Sequence, residues 1–270
     1  MQSQIEKIVT MPYVDFMAFL KETNRAPGWE KMLIEMVKNV FLHPNSKFLH
    51  IACNTGSSSR EVVKLTGASG YWIDINENMV KTATELTGRE NMDQSLTFKA
   101  MNAQELAFPD KEFELVFSAG WIAFVPDKKK AVSEMVRVCK DSWFVADIVM
   151  YYKGDVPQYV IDEMNGLMNL NIQKWWLGYW IDIYESQGLK LFHKYEGEYA
   201  LVDHKKLLEY CRYMVNRPEL SDLSEDEKKT AEYKLFRIMS LFSENHKYLG
   251  ASLLIFRKES VNEQWSLFSE

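Results

Sequence analysis

Apolar and polar positions alternate at two different periods along this chain, and the changes of period mark out its elements. Residues 13–22 and 29–41 carry apolar side chains at helical spacing, which predicts two helices separated by the turn signal Asn24-Arg25-Ala26-Pro27-Gly28. Residues 47–52 are a short apolar run that enters the loop Cys53-Asn54-Thr55-Gly56, and Ser57 opens a helix that Gly67 stops. The sequence continues in the same rhythm. Strands are predicted at 70–73, 96–100, 113–117, 142–149 and 189–195, with helices at 77–86, 127–138 and 179–187. Strands alternating with helices at this pace imply a doubly wound, mostly parallel α/β sheet with right-handed crossovers.

The regularity breaks twice. Residues 153–176 separate the fifth strand from its helix, and two long helical patterns, 202–215 and 225–246, precede a last strand at 252–257. The expected organisation is an N-terminal helical lid (1–46), an α/β core (47–200), a helical cap inserted before the last strand (201–248), that seventh strand (249–258) and a tail (259–270).

Composition narrows the classes of partner. The chain has 270 residues, of which 47% are apolar and 26% charged, an ordinary balance for a compact body. The net charge is −6, and the dense basic run Lys128 to Lys130 stands beside Asp127 at a helix start, so nucleic acid is not the expected partner. No apolar run reaches the length of a membrane helix and no secretory leader pattern is present, which points to a cytoplasmic protein. Cys53, Cys139 and Cys211 have no zinc-type spacing, so reduced thiols and no metal are expected. Aromatics reach 13%, enough to line a pocket for an organic substrate or to make a heavy core.

The candidate chemistry sits where predicted strands end. His50-Ile51-Ala52-Cys53-Asn54-Thr55-Gly56 follows the first strand, Ile73-Asp74 the second, and Asn102-Ala103 with Phe108-Pro109-Asp110 the third. In open α/β sheets the crevice outside the carboxyl ends binds ligands. Gly56 supplies a residue without a Cβ at the helix start, and Asp74, 18 residues later, is an acceptor for both hydroxyls of a ribose. A nicotinamide dinucleotide would want G-x-G-x-x-G, but those positions read Ala52, Asn54 and Ser57. Against the ribose reading stands a helix cap at Asp74, and against base recognition a local turn at Asn102.

These segments resemble the class I S-adenosylmethionine-dependent methyltransferases. Their first motif reads approximately V-L-D-I-G-C-G-T-G. Their second, V-x-G-I-D-x-S-x-x-M, is close to Tyr71 through Met79 here. Their third, D-A-x-x-L-P-F-x-D-x-x-F-D-x-V, is close to Asn102 through Val116. The resemblance covers about residues 40 to 150. It implies S-adenosylmethionine as cofactor, with Asp74 on the ribose, Ile75 and Met79 by the adenine, and Asn102 with the Ala103 amide reading its edge. Ala52, Cys53, Asn54, Gly56 and Ser118 would surround the remainder of the cofactor. The first motif departs from the family: His50 stands in place of its acid, and Ala52 and Asn54 in place of its first two glycines. The methionyl end would then be held from the N-terminal helices, by Tyr13 and by Arg25, whose guanidinium suits a carboxylate.

By the same resemblance the reacting centre would face Ser118, Trp121, Asp147 and Tyr151, together with Glu244, Asn245 and His246 from the cap. Asp147, Tyr151 and His246 are the candidate catalytic residues, His246 being the base if one is used. Trp175, Trp176, Tyr179 and Trp180 would surround a cationic or amine acceptor, or pack in the core. The expected activity is methyl transfer to a nitrogen or oxygen of a small molecule under the cap. Transfer of another part of the cofactor, its cyclisation, and cofactor binding without catalysis stay open, as does a homodimer.

Overall fold

A computed structural model describes residues 3–21, 29–52, 55–169, 171–197 and 201–259. Two short helices, α1 (Gln4–Thr10) and α2 (Tyr13–Phe19), and a longer one, α3 (Trp29–Val40), precede the sheet. The core then runs β1 (Lys47–Ile51), α4 (Ser57–Thr66), β2 (Ser69–Asp74), α5 (Glu77–Arg89), β3 (Leu96–Ala100) and β4 (Phe113–Ala119). A 3-10 turn at Ile122–Phe124 leads into α6 (Lys128–Val138), β5 (Cys139–Tyr152), α7 (Gln158–Met168), α8 (Leu177–Glu185) and β6 (Leu189–Gly197). Helices α9 (His204–Val215) and α10 (Glu225–His246) stand before β7 (Leu249–Lys258).

The sheet has seven strands in the order β3-β2-β1-β4-β5-β7-β6. Neighbours from β3 to β5 are parallel, and β7 runs antiparallel to both β5 and β6. This is the doubly wound, mostly parallel sheet that the alternation of elements implies. Its order reverses between β1 and β4, the switch point at which such sheets open a crevice.

Two apolar layers sandwich the sheet. Leu49, Ile51, Val116 and Val145 face α6 and α8, while Phe48, Phe117, Ala146 and Ile148 face α3 and α4. A third cluster lies away from the sheet, where α1 and α2 (Ile8, Phe16, Leu20) pack on α9 and α10 (Val215, Leu235, Ile238).

The structure departs from the sequence reading at several elements. Helix α1 was not expected, although Ser3 and Glu6 form a reciprocal capping box. The first predicted helix stops at Phe19. The segment 153–176, read as an irregular insertion, contains α7, and β5 extends to Tyr152 because its pairing with β7 continues to Leu249. The residue that caps α6 is Asp127, whose carboxylate accepts from the Lys130 amide.

Candidate functional site

At the switch point the strand ends enclose a cavity of about 260 Å³. Its floor is Ala52 and Ile73, and one wall is Asp74, Ile75, Asn76 and Met79 after β2. Met101, Asn102 and Ala103 follow β3, and Trp121, Phe124, Val125 and Pro126 follow β4. Tyr13, Val14 and Met17 of α2 cover it, with Met168 from the end of α7. Of the residues expected to bind a cofactor, Tyr13, Ala52, Asp74, Ile75, Met79, Asn102 and Ala103 therefore share one wall space.

Local hydrogen bonds aim the polar groups. Asp74 Oδ1 accepts from the Asn76 amide (2.9 Å), and Asn76 rather than Asp74 is the cap of α5, accepting from the Met79 amide (3.1 Å). Asn102 Oδ1 accepts from the Gln104 amide (3.0 Å), so its side chain does form the local turn while lining the cavity. The strap beyond it is anchored to α6. Arg137 donates to the carbonyls of Leu106 (2.8 Å) and Phe108 (2.9 Å), and Glu134 accepts from the Leu106 amide (2.8 Å). Bonds to Glu134 and Asp110 raise the Arg137 pKa, and Arg137 in turn holds the Glu134 carboxyl below its ordinary range.

Ile75 is 75% exposed. A branched apolar side chain left in solvent beside a carboxylate, on the rim of an otherwise apolar cavity, is what a flat heterocycle would cover.

The first loop is built around left-handed backbone. Ala52 has φ 54° and Gly56 φ 80°, and a Cβ on Gly56 would lie 2.3 Å from the Trp72 ring. Arg60, on α4, donates to the Thr55 carbonyl (2.9 Å) and is itself paired with Glu90 (2.8 Å), which also binds Lys64. Burial opposes ionisation of Glu90, but Lys64 and Arg60 outweigh it and lower its pKa.

Several expected site residues lie elsewhere. His50 projects to the opposite face of the sheet from Leu49 and Ile51, because side chains alternate along a strand. Its ring stacks on Phe117 (4.1 Å between centroids), bonds Ser59, and is pushed down to a pKa of about 3 by burial. It is a neutral core histidine and reaches nothing in the cavity. Gly56 lies behind the loop on Trp72.

Ser118 and Asp147 are buried partners across β4 and β5, with Tyr184 donating to Asp147 (2.8 Å). Burial, only partly offset by Tyr184, raises Asp147 to a pKa of about 7. Tyr151 packs on Gly250 of β7. His246, lowered to about 4 by burial, lies beside Phe242, Glu244 pairs with Lys247, and Asn245 accepts from the Tyr152 hydroxyl (3.0 Å). None of these lines the cavity, so Asp147, Tyr151 and His246, expected as catalytic residues, are not brought together with the strand-end wall. Arg25, Cys53 and Asn54 lie outside the described residues.

Of the aromatic group, Trp175 and Trp180 take the second expected course and pack in the core. Trp175 is buried, Trp180 donates to the Met150 carbonyl (2.9 Å), and the cation over the Trp175 ring is the chain's own Lys128, 4.6 Å from its centroid. Met168, Phe124 and Val14 were not foreseen. The apolar run Trp121 to Val125 after a strand end was a usable signal for the second, whereas Met168 required knowing of α7.

A family model described as a methyltransferase domain matches residues 49–145, the span from β1 into β5 that carries the cavity's floor and both strand-end walls. The match supports the resemblance to the class I S-adenosylmethionine-dependent methyltransferases over that span. It likewise supports S-adenosylmethionine as the cofactor expected from the sequence. A relative from Rickettsia akari, a ubiquinone/menaquinone biosynthesis C-methyltransferase, is 34% identical over 117 residues, 42% of this chain. The chain spans 46% of that relative's length.

Among solved structures, the MccD protein superposes with a TM-score of 0.72 at 24% identity, covering 87% of this chain and all of that one. Phosphoethanolamine N-methyltransferase 2 of Haemonchus contortus, in complex with S-adenosyl-L-methionine, gives 0.69 at 17% identity, covering 96% of this chain and 61% of that one.

Proposed function

We propose that this protein is an S-adenosylmethionine-dependent methyltransferase whose acceptor is a small molecule with a nitrogen or oxygen nucleophile. The observation that carries the reading is the exposed Ile75 between Asp74 and the Asn102-Ala103 segment on one apolar cavity. Asp74 accepts hydrogen bonds from the ribose hydroxyls. Ile75 covers one face of the adenine, and Asn102 with the Ala103 amide meets its edge. Tyr13 and Met17 exclude water from above. Bound there, S-adenosylmethionine supplies a methyl carbon made electrophilic by its sulfonium.

Asp74 is the only carboxylate among the described residues of the cavity wall, and no histidine stands there. The residues that remain do positioning and desolvation, not proton transfer. This favours an acceptor whose nucleophile is already unprotonated at the working pH. The lid (1–46) and cap (201–248) divisions belong to this proposal. The test is incubation with methyl-labelled S-adenosylmethionine and a panel of amines, phenols and, because the Rickettsia relative is a C-methyltransferase, activated aromatic carbons. Label transferred to an amine or phenol with release of S-adenosylhomocysteine supports the proposal, and label on carbon alone overturns its nucleophile.

A second reading keeps the cofactor and changes the bond that breaks. It is favoured by the position of His50, which leaves the first motif without an acid at the methionyl end. Methylthioadenosine as the sole nucleoside product would establish cleavage at the aminocarboxypropyl carbon, by an acceptor or by the cofactor's own methionyl group, and remove the first reading. No binding of S-adenosylmethionine at millimolar concentration would remove both.

A further inference from the structure

Helix α2 supplies Tyr13, Val14 and Met17 to the cavity, yet it is seven residues long and has no side-chain cap at its N-terminus. A helix this short does not hold itself together in water. Two cations from the segment between β6 and β7 grip it. Lys234 of α10 sends its ammonium into the turn between α1 and α2, donating to the carbonyls of Ile8 (2.8 Å), Val9 (3.0 Å) and Met11 (2.6 Å), 4.7 Å above the Phe16 ring. Arg217, just before the 3-10 turn at Pro218–Leu220, donates to the carbonyls of Leu20 and Lys21 (3.2 Å) at the other end of α2. These are the carbonyls that a helix terminus leaves without partners. On the cavity side, Asp15 accepts from Asn76 Nδ2 (2.9 Å) and Asn78 Nδ2 (3.1 Å), which tethers α2 to the start of α5.

Burial of Lys234 lowers its pKa, the direction expected of an ammonium taken from water to serve backbone oxygens. Meanwhile no residue of α9 or α10 is among those lining the cavity. The cap therefore acts at one remove. We infer that Lys234 and Arg217 are positioning residues for cofactor binding: they fix both ends of α2 so that Tyr13 and Met17 lie over the cavity, and the cap controls cofactor affinity through that helix. This rests on the cofactor assignment above.

The test uses the full chain, titrated calorimetrically with S-adenosylhomocysteine. K234M and R217M lower the fraction of molecules with α2 in place, and the apparent Kd rises in proportion, by about 5- to 10-fold in each. K234R, which keeps the donors, returns the Kd to within about twofold of wild type. K234Q, which shortens the reach but leaves a donor, is the variant to use if K234M fails to fold. V132A, on the buried face of α6, lowers stability without touching α2 and leaves the Kd unchanged.

Unchanged affinity in K234M and R217M, with wild type binding normally, overturns the inference. If wild type does not bind at all, the cofactor assignment fails instead. Hydrogen exchange of the α2 amides then decides the clamp: faster exchange in both variants sustains it, and wild-type rates refute it.

Discussion

Ala52→Gly is the sharpest test of the first loop, because Ala52 holds φ 54° where the family it resembles has glycine. A left-handed conformation costs a residue with a Cβ about 1–2 kcal/mol. Glycine removes that strain but makes the unfolded chain more flexible, which costs about 0.5–1 kcal/mol. The native state should gain roughly 0.5–1 kcal/mol. For 270 residues the unfolding entropy near 60 °C is on the order of 0.6 kcal/mol/K, so Tm should rise by about 1–2 °C. Differential scanning calorimetry resolves that. Ala52→Val is the opposite control, since a β-branched residue tolerates positive φ least, and its Tm should fall by about 2 °C or more. The Ala52 methyl also lines the cavity. Its loss forfeits burial of one methyl, about 0.8 kcal/mol, so cofactor affinity should change by no more than about fourfold. A lower Tm for Ala52→Gly, or no difference between Gly and Val, would refute the assignment of strain to this position.

Three further outcomes are expected. Gly56→Ala adds a Cβ 2.3 Å from Trp72 at φ 80°, so overpacking and backbone strain together should destabilise by about 2–5 kcal/mol in urea unfolding. Asp74→Ala should lower S-adenosylhomocysteine affinity by about 10- to 100-fold, the range for hydrogen bonds to a charged group, with a Tm near wild type; retained affinity in calorimetry would move the ribose elsewhere. Asp147 has a folded pKa of about 7 against an ordinary 3.8, so the native state binds more protons across that window and stability falls as pH rises through it. Asp147→Asn keeps the acceptor for Tyr184 and should gain stability over wild type at pH 8 but not at pH 3. Parallel denaturation curves at both pH values would sink that account.

His50 works against Asp147 in acid. Its folded pKa of about 3 lies below the ordinary 6.5, so the unfolded chain binds the extra proton and stability falls as pH drops from 6.5 toward 3. His246, lowered to about 4 by burial, adds a second slope of the same sign as that of His50. Between about 4 and 6.5 Asp147 offsets one of the two histidine slopes, so wild type should lose at most about 1.4 kcal/mol per pH unit as pH drops. Asp147→Asn should steepen that loss to about twice the wild-type slope.

The parts of the site legible in the sequence are those fixed by where a strand ends. Asp74, Ile75, Asn102 and Ala103 follow β2 and β3, and an exit from a buried parallel strand points at the crevice whatever the neighbouring side chains do. His50, Ser118 and Asp147 were misplaced for one physical reason. Central parallel strands are buried on both faces, as the continuous burial of Phe48 through Ile51 shows, so their apolar pattern carries no mark of which face a given residue occupies. Tyr151 and His246 depend on where β7 and α10 come to rest, which is a matter of long-range packing. The extra helices were hidden differently: α1 is only seven residues long, and α7 sits in a segment whose neighbours gave no strand–helix rhythm.

The cavity has two kinds of wall. Asp74, Ile75, Asn102 and Ala103 stand on strand exits whose positions follow from the sheet, and the strap beyond Asn102 is bolted to α6 by Arg137 and Glu134. Tyr13 and Met17 stand on a short helix held by Lys234, Arg217 and Asn76, groups that belong to other elements. On the proposed reading, the rigid wall recognises what every ligand with an adenosine moiety shares, while the helix covers what differs among them. Adenosine should therefore bind nearly alike in wild type and in Lys234→Met, while S-adenosylhomocysteine should lose affinity in the variant, because only the longer ligand draws binding energy from the cover. Equal losses for both ligands would place α2 over the nucleoside itself, and the division of labour between the two walls would have to be abandoned.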